Sequence, residues 1–139
     1  MVDEPSSCPE RVVGGFRLLE PIGSGAMGTV YRATGPDGRM AAVKLMLHAG
    51  PIEAELLRRF HREASIRIDH PNICRVLAAG TDAAGGTPYI AFELLRGETL
   101  DKRLERGTLP PPETVGVGGQ ICAGLAAAHA MGVVHRDLK

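Results

Sequence analysis

Five short runs rich in β-branched, aromatic and aliphatic residues fill the earlier part of the chain. One stretch with helical spacing interrupts them, and helical patterns take over later. The runs are "FRLLEPIG" (Phe16–Gly23), "TVYRAT" (Thr29–Thr34), "RMAAVKLM" (Arg39–Met46), "CRVLAAGT" (Cys74–Thr81) and "PYIAFEL" (Pro88–Leu94), all of strand character. "GPDG" (Gly35–Gly38) and "DAAGG" (Asp82–Gly86) read as turns between them. Between Pro51 and Ile68, Leu56, Phe60 and Ala64 recur at four-residue steps, the stripe of an amphipathic helix. Thr99 caps a second, short helix whose Leu100 and Leu104 share a face and which Gly107 stops. Pro110, Pro111 and Pro112 open a third that runs to Gly132. A hinge is expected around "LRGET" (Leu95–Thr99), where strands give way to helices, and no internal repeat or low-complexity tract appears.

Between the first two runs, "GSGAMGTV" sets Gly23, Gly25 and Gly28 at the spacing GxGxxGxV. Without a Cβ the backbone takes φ values closed to other residues, and another molecule can lie directly against its amides. Phosphate is the usual guest. A dinucleotide-binding turn of the same spacing opens into a helix, with an acidic residue about 20 positions further on. Here Thr29, Val30 and Tyr31 favour a strand, so the loop is predicted to bridge a hairpin, as a flap over a nucleotide does.

Lys44 sits inside the apolar run Met40–Leu47, alternating with Val43 and Leu45, and a half-buried ammonium is costly unless something anionic meets it. Glu63 lies three residues after Phe60 and seven after Leu56, so helical periodicity puts its carboxylate on the apolar face. An ion pair between the two satisfies both, and fixes the ammonium where it can reach phosphate oxygens beneath the glycine loop. Taken singly, each residue also fits a simpler arrangement: Lys44 reaching out to water, and Glu63 pairing with Arg59 or Arg67 on its own helix.

Composition narrows the classes. At 139 residues and 44% hydrophobic content the chain is long enough for one ordinary core. Sixteen basic residues balance sixteen acidic ones, so no global field draws in nucleic acid or an anionic membrane. Arg58, Arg59 and Arg62 mix with Glu53, Glu55 and Glu63 and read as a solvated helix face. Cys8, Cys74 and Cys122 are odd in number and widely spaced, which fits a reduced cytoplasmic compartment and no metal site. The acidic, Pro/Ser-rich start "MVDEPSSCPERV" reads as a loose leader without the apolar core of a signal peptide. Thr114 to Val134 carry no formal charge over a length that can span a bilayer, but Gly and Ala dominate, and Gln120 and His129 would be buried unpaired. A helix inside a soluble domain is expected instead.

The chain ends in "GVVHRDLK" (Gly132–Lys139). With "GSGAMGTV", "AAVK" ending at Lys44, "REA" around Glu63 and "HPNI" (His70–Ile73), this resembles the eukaryotic-type protein kinases, in the family's order and at similar spacing from Phe16 to Lys139. Lys139, two residues after Asp137, is similar to the serine/threonine branch, and "RFHREA" with "LRGETL" resembles its bacterial members. The resemblance implies an α+β fold: a kinase-like small lobe of a five-stranded antiparallel sheet plus one helix, followed by the first helices of a truncated large lobe. It implies a flexible leader over 1–13, the small lobe over 14–94, and the hinge and start of the large lobe over 95–139.

The resemblance also assigns roles. Ile22 and Val30 would cover the adenine of ATP with Ala42, while the amides of Gly23, Ser24, Gly25, Ala26, Met27 and Gly28 approach the phosphates. Lys44, oriented by Glu63, would hold the α and β phosphates. Phe92 would stand as gatekeeper at the back of the pocket, and the backbone of Glu93 and Leu95 would bond the adenine edge. Asp137 would accept the proton of a substrate hydroxyl, and Lys139 would steady the γ phosphate, with His135 and Arg136 in support. The implied activity is transfer of phosphate from ATP with Mg²⁺ to protein Ser/Thr hydroxyls, in the cytoplasm, without nucleic acid and with pairing between two such lobes as a further expectation. The sequence departs from the pattern after Lys139: the Asn expected five residues beyond Asp137, the DFG segment and both metal ligands are not among these residues. The 139 residues alone are therefore expected to transfer no phosphate, and a kinase-like module that only binds nucleotide or docks is the alternative.

Overall fold

A computed structural model describes residues 11–25, 28–46, 53–135 and 138. These fall into two compact units: one holds the residues up to Ser65 together with Val76–Leu94, the other holds Ile66–Arg75 and the residues from Leu95 onward.

The first unit is an antiparallel sheet of six strands in the order β1-β2-β3-β4-β6-β5 with one helix. Its strands are β1 (Val12–Val13), β2 (Phe16–Gly25), β3 (Gly28–Thr34), β4 (Met40–Met46), β5 (Val76–Thr81) and β6 (Pro88–Glu93); the helix α1 covers Glu53–Ser65. The five expected strands are present, and β1 is additional. The leader expected through residue 13 therefore loses its last two residues to the sheet. Val12 and Val13 pair with Arg17 and Phe16 across a turn in which Gly14 and Gly15 have φ of 57° and 85°, and Val13 is fully buried. Residues 1–10 of the expected leader lie outside the described residues.

Both predicted turns close by backbone bonds. Gly38 N–H donates to Gly35 O at 2.9 Å, and Gly86 N–H donates to Asp82 O at 2.8 Å. Alternation along the strands sends Ala41, Val43 and Leu45 of β4, and Tyr89 and Ala91 of β6, into one cluster with Val13, Phe16, Leu18 and Ala33. Residues from β1 and β2 thus share a cluster with residues from β6, although β3 and β4 lie between β2 and β6 in the sheet order, which requires the sheet to curl. The opposite face carries α1. Phe60, 1% exposed, packs with Met46 and Ile90, flanked by Leu57 and Ala64. Phe60→Leu removes ring volume from this close-packed cluster and is expected to lower the unfolding free energy by about 1 to 2 kcal/mol; a urea titration that leaves the midpoint unmoved would contradict the packing.

The second unit is helical. In α2 (Leu100–Leu104) the Thr99 hydroxyl accepts from Lys102 N–H at 3.2 Å, satisfying an amide that the helix itself leaves open. Glu98 and Arg106 bracket this helix in a two-bond pair, and the Arg106 guanidinium holds the Glu98 carboxyl below its usual range. The third helix, α3 (Pro111–Ala130), begins where the prolines permit. It ends with Gly132 at φ 73°, whose N–H reaches His129 O at 2.9 Å while Val133 N–H reaches Ala128 O at 2.9 Å. Only a residue at ease with positive φ lets both orphan carbonyls be met at once. No described helix is long and apolar enough to cross a membrane.

Candidate functional site

Lys44 belongs to the α1 face of β4, together with Ala42 and Met46, because side chains alternate. Register places it beside Val30 on β3 and Ile90 on β6. On α1, Glu63 follows Phe60 by three positions, so the turn that seats Phe60 on Met46 and Ile90 also aims Glu63 at the sheet. The Lys44 Nζ donates to Glu63 Oε2 at 2.7 Å, with the side chains 17% and 34% exposed. A water-directed Lys44 is therefore not the arrangement adopted. The pair is half desolvated, so the two charges need each other: stripping either one leaves its partner uncompensated. An ammonium fixed this way keeps two further N–H donors for another anion.

The glycine segment closes the β2–β3 hairpin. Ser24 pairs with Thr29 and Gly25 with Gly28, and the Ser24 and Thr29 hydroxyls stand 3.3 Å apart. After Gly28 the chain continues as strand and not as helix, which removes the dinucleotide-turn reading. The glycines serve differently. A Cβ on Gly23 or Gly25 would meet nothing within 4 Å, so their gain is open backbone on the outer side of the loop. Gly28 has φ +152° and lies directly against the backbone of Leu45, so it alone of the three is required by both conformation and contact. Ala26 and Met27 lie outside the described residues.

Around Lys44, register groups further predicted residues. Ala42 pairs with Phe92 and Val30 with Lys44, so Val30, Ala42, Lys44 and Phe92 share one face, each half-buried. Ile22, next to Gly23, is 50% exposed. Glu93 closes β6 opposite Ala41 and is half-buried. Leu95 falls in the second unit and is exposed, as are His135 and Leu138; Arg136, Asp137 and Lys139 lie outside the described residues. Among the described residues no three His, Cys, Asp or Glu side chains gather into a metal-ligating group.

Two supports escaped the sequence reading. Thr29 ties the loop across to Ser24, a pairing signalled only by the two hydroxyl residues flanking the loop glycines. Met46 and Ile90 form the floor that seats Phe60, and their two-residue step from Lys44 and Phe92 was the available sign. Chemically, the first unit offers a half-buried cation beside an apolar strip, next to a strand-closing loop with open backbone. That combination suits a planar apolar group joined to an anionic tail.

Comparisons with known proteins agree in direction. Residues 16–139 match the protein kinase domain family. The chain is 37% identical over 129 residues to the serine/threonine-protein kinase pkn2 of Myxococcus xanthus, spanning 91% of this chain and 15% of that protein. It is 40% identical over 121 residues to the serine/threonine-protein kinase PkaB of Streptomyces coelicolor, spanning 85% of this chain and 28% of that protein. In three dimensions it resembles the crystal structure of the Mycobacterium tuberculosis PknI kinase domain, with a TM-score of 0.79 and 26% identity over 97% of this chain and 57% of that one.

Proposed function

From a chain that belongs to the protein kinase domain family, we propose the nucleotide-gripping part of a serine/threonine kinase that transfers phosphate from ATP to protein hydroxyls in the cytoplasm. The observation that carries the proposal is the Lys44–Glu63 ion pair on the half-buried face beside the glycine hairpin. We assign residues 14–94, with β1 added at their start, to a small lobe and 95–139 to the hinge and the beginning of a large lobe.

In this reading the adenine lies against Ile22, Val30 and Ala42, with Phe92 limiting the depth of the pocket and the backbone of Glu93 and Leu95 meeting the adenine edge. The amides from Gly23 to Gly28, including those of Ser24, Ala26 and Met27, approach the phosphate tail, where the absence of a Cβ at Gly23 and Gly25 leaves room. Lys44 holds phosphate oxygens with the donors that Glu63 leaves free, and Glu63 keeps the ammonium from swinging to water. Asp137 takes the proton from the acceptor hydroxyl, and Lys139 steadies the transferred group. ATP, as its Mg²⁺ complex, supplies the phosphoryl group and the metal's charge neutralisation. Phosphoryl transfer asks the protein mainly for positioning and positive charge, which is what these residue types provide.

The test is phosphoamino acid analysis of an acceptor protein labelled from γ-labelled ATP by an intact kinase carrying these residues. Label on serine and threonine is the expected result. Label confined to tyrosine, or no saturable ATP binding, would overturn the assignment.

A further inference from the structure

Alternation divides the side chains of the sheet between two faces. On β3, Ala33 belongs to the cluster around Phe16 and Val43, and Tyr31 packs against it, so Val30 and Arg32 stand on the opposite face, the one that Ala42 and Lys44 of β4 share. Pairing sets Val30 beside Lys44 and Arg32 beside Ala42. Arg32 is therefore one two-residue step, about 7 Å, further from the glycine hairpin than the row of Val30 and Lys44. Its guanidinium is fixed: Arg32 Nη2 meets Glu20 Oε1, with the side chains 46% and 49% exposed. A backbone hydrogen bond at Glu20 first, and the Arg32 guanidinium after it, hold the Glu20 carboxyl below its usual range, so it stays ionised near neutrality. Val30 and Ala42, both half-buried, thus lie between two cations, each drawn to a different side by its own carboxylate: Lys44 toward Glu63 on α1, and Arg32 toward Glu20 on β2.

We propose that Arg32 is a specificity-determining residue for the base of the nucleotide: Glu20 holds its guanidinium plane against the end of the base furthest from the phosphate tail. Phosphates placed under the glycine hairpin and at Lys44 set the direction of the ligand, so its planar group extends over Val30 and Ala42 toward Arg32. An apolar strip of this kind shelters a flat ring without selecting it. A guanidinium adds selection, because it is planar, weakly hydrated and attracted to the face of a π system. The bond to Glu20 occupies one edge of the guanidinium and leaves its flat side open, and the half-exposed side chain is accessible to a ligand. An ion pair this exposed adds little to stability, so its value to the fold is small. The inference rests on the nucleotide-binding reading and goes beyond it, since it assigns recognition of the base to a charged pair outside the loop, the lysine and the apolar strip.

The experiment is isothermal titration of an intact kinase carrying these residues, unmodified and as Arg32→Met and Arg32→Lys, with ATP, adenosine and inorganic triphosphate as probes. Arg32→Met is expected to weaken ATP and adenosine by a common factor of about five, and to leave inorganic triphosphate within about twofold. Arg32→Lys keeps the charge without the plane and is expected to fall between the unmodified protein and Arg32→Met. Because the pair is exposed, the melting temperature of both variants is expected to stay within about 2 °C. Equal ATP affinity in Arg32→Met and the unmodified protein overturns the proposal. So does a loss shared by inorganic triphosphate, which makes Arg32 a phosphate ligand or a general cation. A merely structural role lowers the melting temperature and weakens all the probes alike. Failure of the unmodified protein to bind ATP is a separate result, which removes the kinase reading and this inference with it.

Discussion

Lys44→Met is expected to reduce kcat/KM for phosphoryl transfer by about a thousandfold or more in an intact kinase carrying these residues. Methionine is close to lysine in length and is apolar, so it fits beside Val30, Ala42, Met46 and Ile90 on the face that β4 turns toward α1. The fold is therefore retained, and the loss is confined to one charge. Two consequences follow from the 2.7 Å pair. The phosphate tail loses its fixed cation, and Glu63, 34% exposed, becomes a half-buried carboxylate without its counter-charge and repels the incoming phosphate. Glu63→Gln keeps a hydrogen-bond acceptor for Lys44 and removes the charge, so its expected loss is smaller, about tenfold to a hundredfold. Turnover of Lys44→Met at the wild-type level, with circular dichroism and melting temperature unchanged, would end the assignment of Lys44.

The legibility of this arrangement in the sequence has a physical basis. Lys44 and Glu63 each stood as a charge on an otherwise apolar face, one at period two and the other at period 3.6; singly each also had an outlet, to water or to Arg59 or Arg67, and it was the ordered motifs around them that favoured the pair. The hairpin around the glycines, the Thr99 cap and the Gly132 stop were legible locally, since each depends on residues close in sequence. What escaped was short or long-range. β1 has two residues, too few to show a period, and forms only because Gly14 and Gly15 turn the chain back so that Val13 enters the core. Pro21 and the register shifts beside it in β2 depend on the pairing partner as much as on β2 itself. The bond between Asn72 and Gln120 joins residues 48 positions apart, and neither residue type signals the other. On α1 the apolar stripe was read through Leu56, Phe60 and Ala64; Leu57 joins Phe60 and Ala64 in the cluster, and the Leu56 side chain lies outside what the structure describes. A helix seated by a ring as large as Phe60 contacts the sheet over more than one row of side chains.

Gly28→Val is expected to lower nucleotide affinity and turnover together by about a hundredfold, the scale at which an ångström of misplacement is felt. Gly28 is the only glycine of the loop whose Cβ has nowhere to go: it would overlap the Leu45 carbonyl oxygen and stand 2.9 Å from the Leu45 carbonyl carbon, both backbone atoms that cannot rotate aside. Its φ of +152° adds conformational strain that a β-branched residue tolerates least. The pairing Gly28↔Met46 and Thr29↔Leu45 must then open, and Lys44 is the next residue along β4, paired with Val30. Relief of the clash thus moves the strand end that carries the ammonium as well as the loop that faces the phosphates. Gly25→Ala provides the contrast. Its Cβ meets nothing within 4 Å and its backbone is extended, so the protein should fold normally and lose affinity only as far as the added methyl stands between loop and phosphate. Isothermal titration with ATP and a melting curve on each variant separate the two cases. A Gly28→Val protein with wild-type affinity and melting temperature would show that the close approach to Leu45 is not what sets the loop.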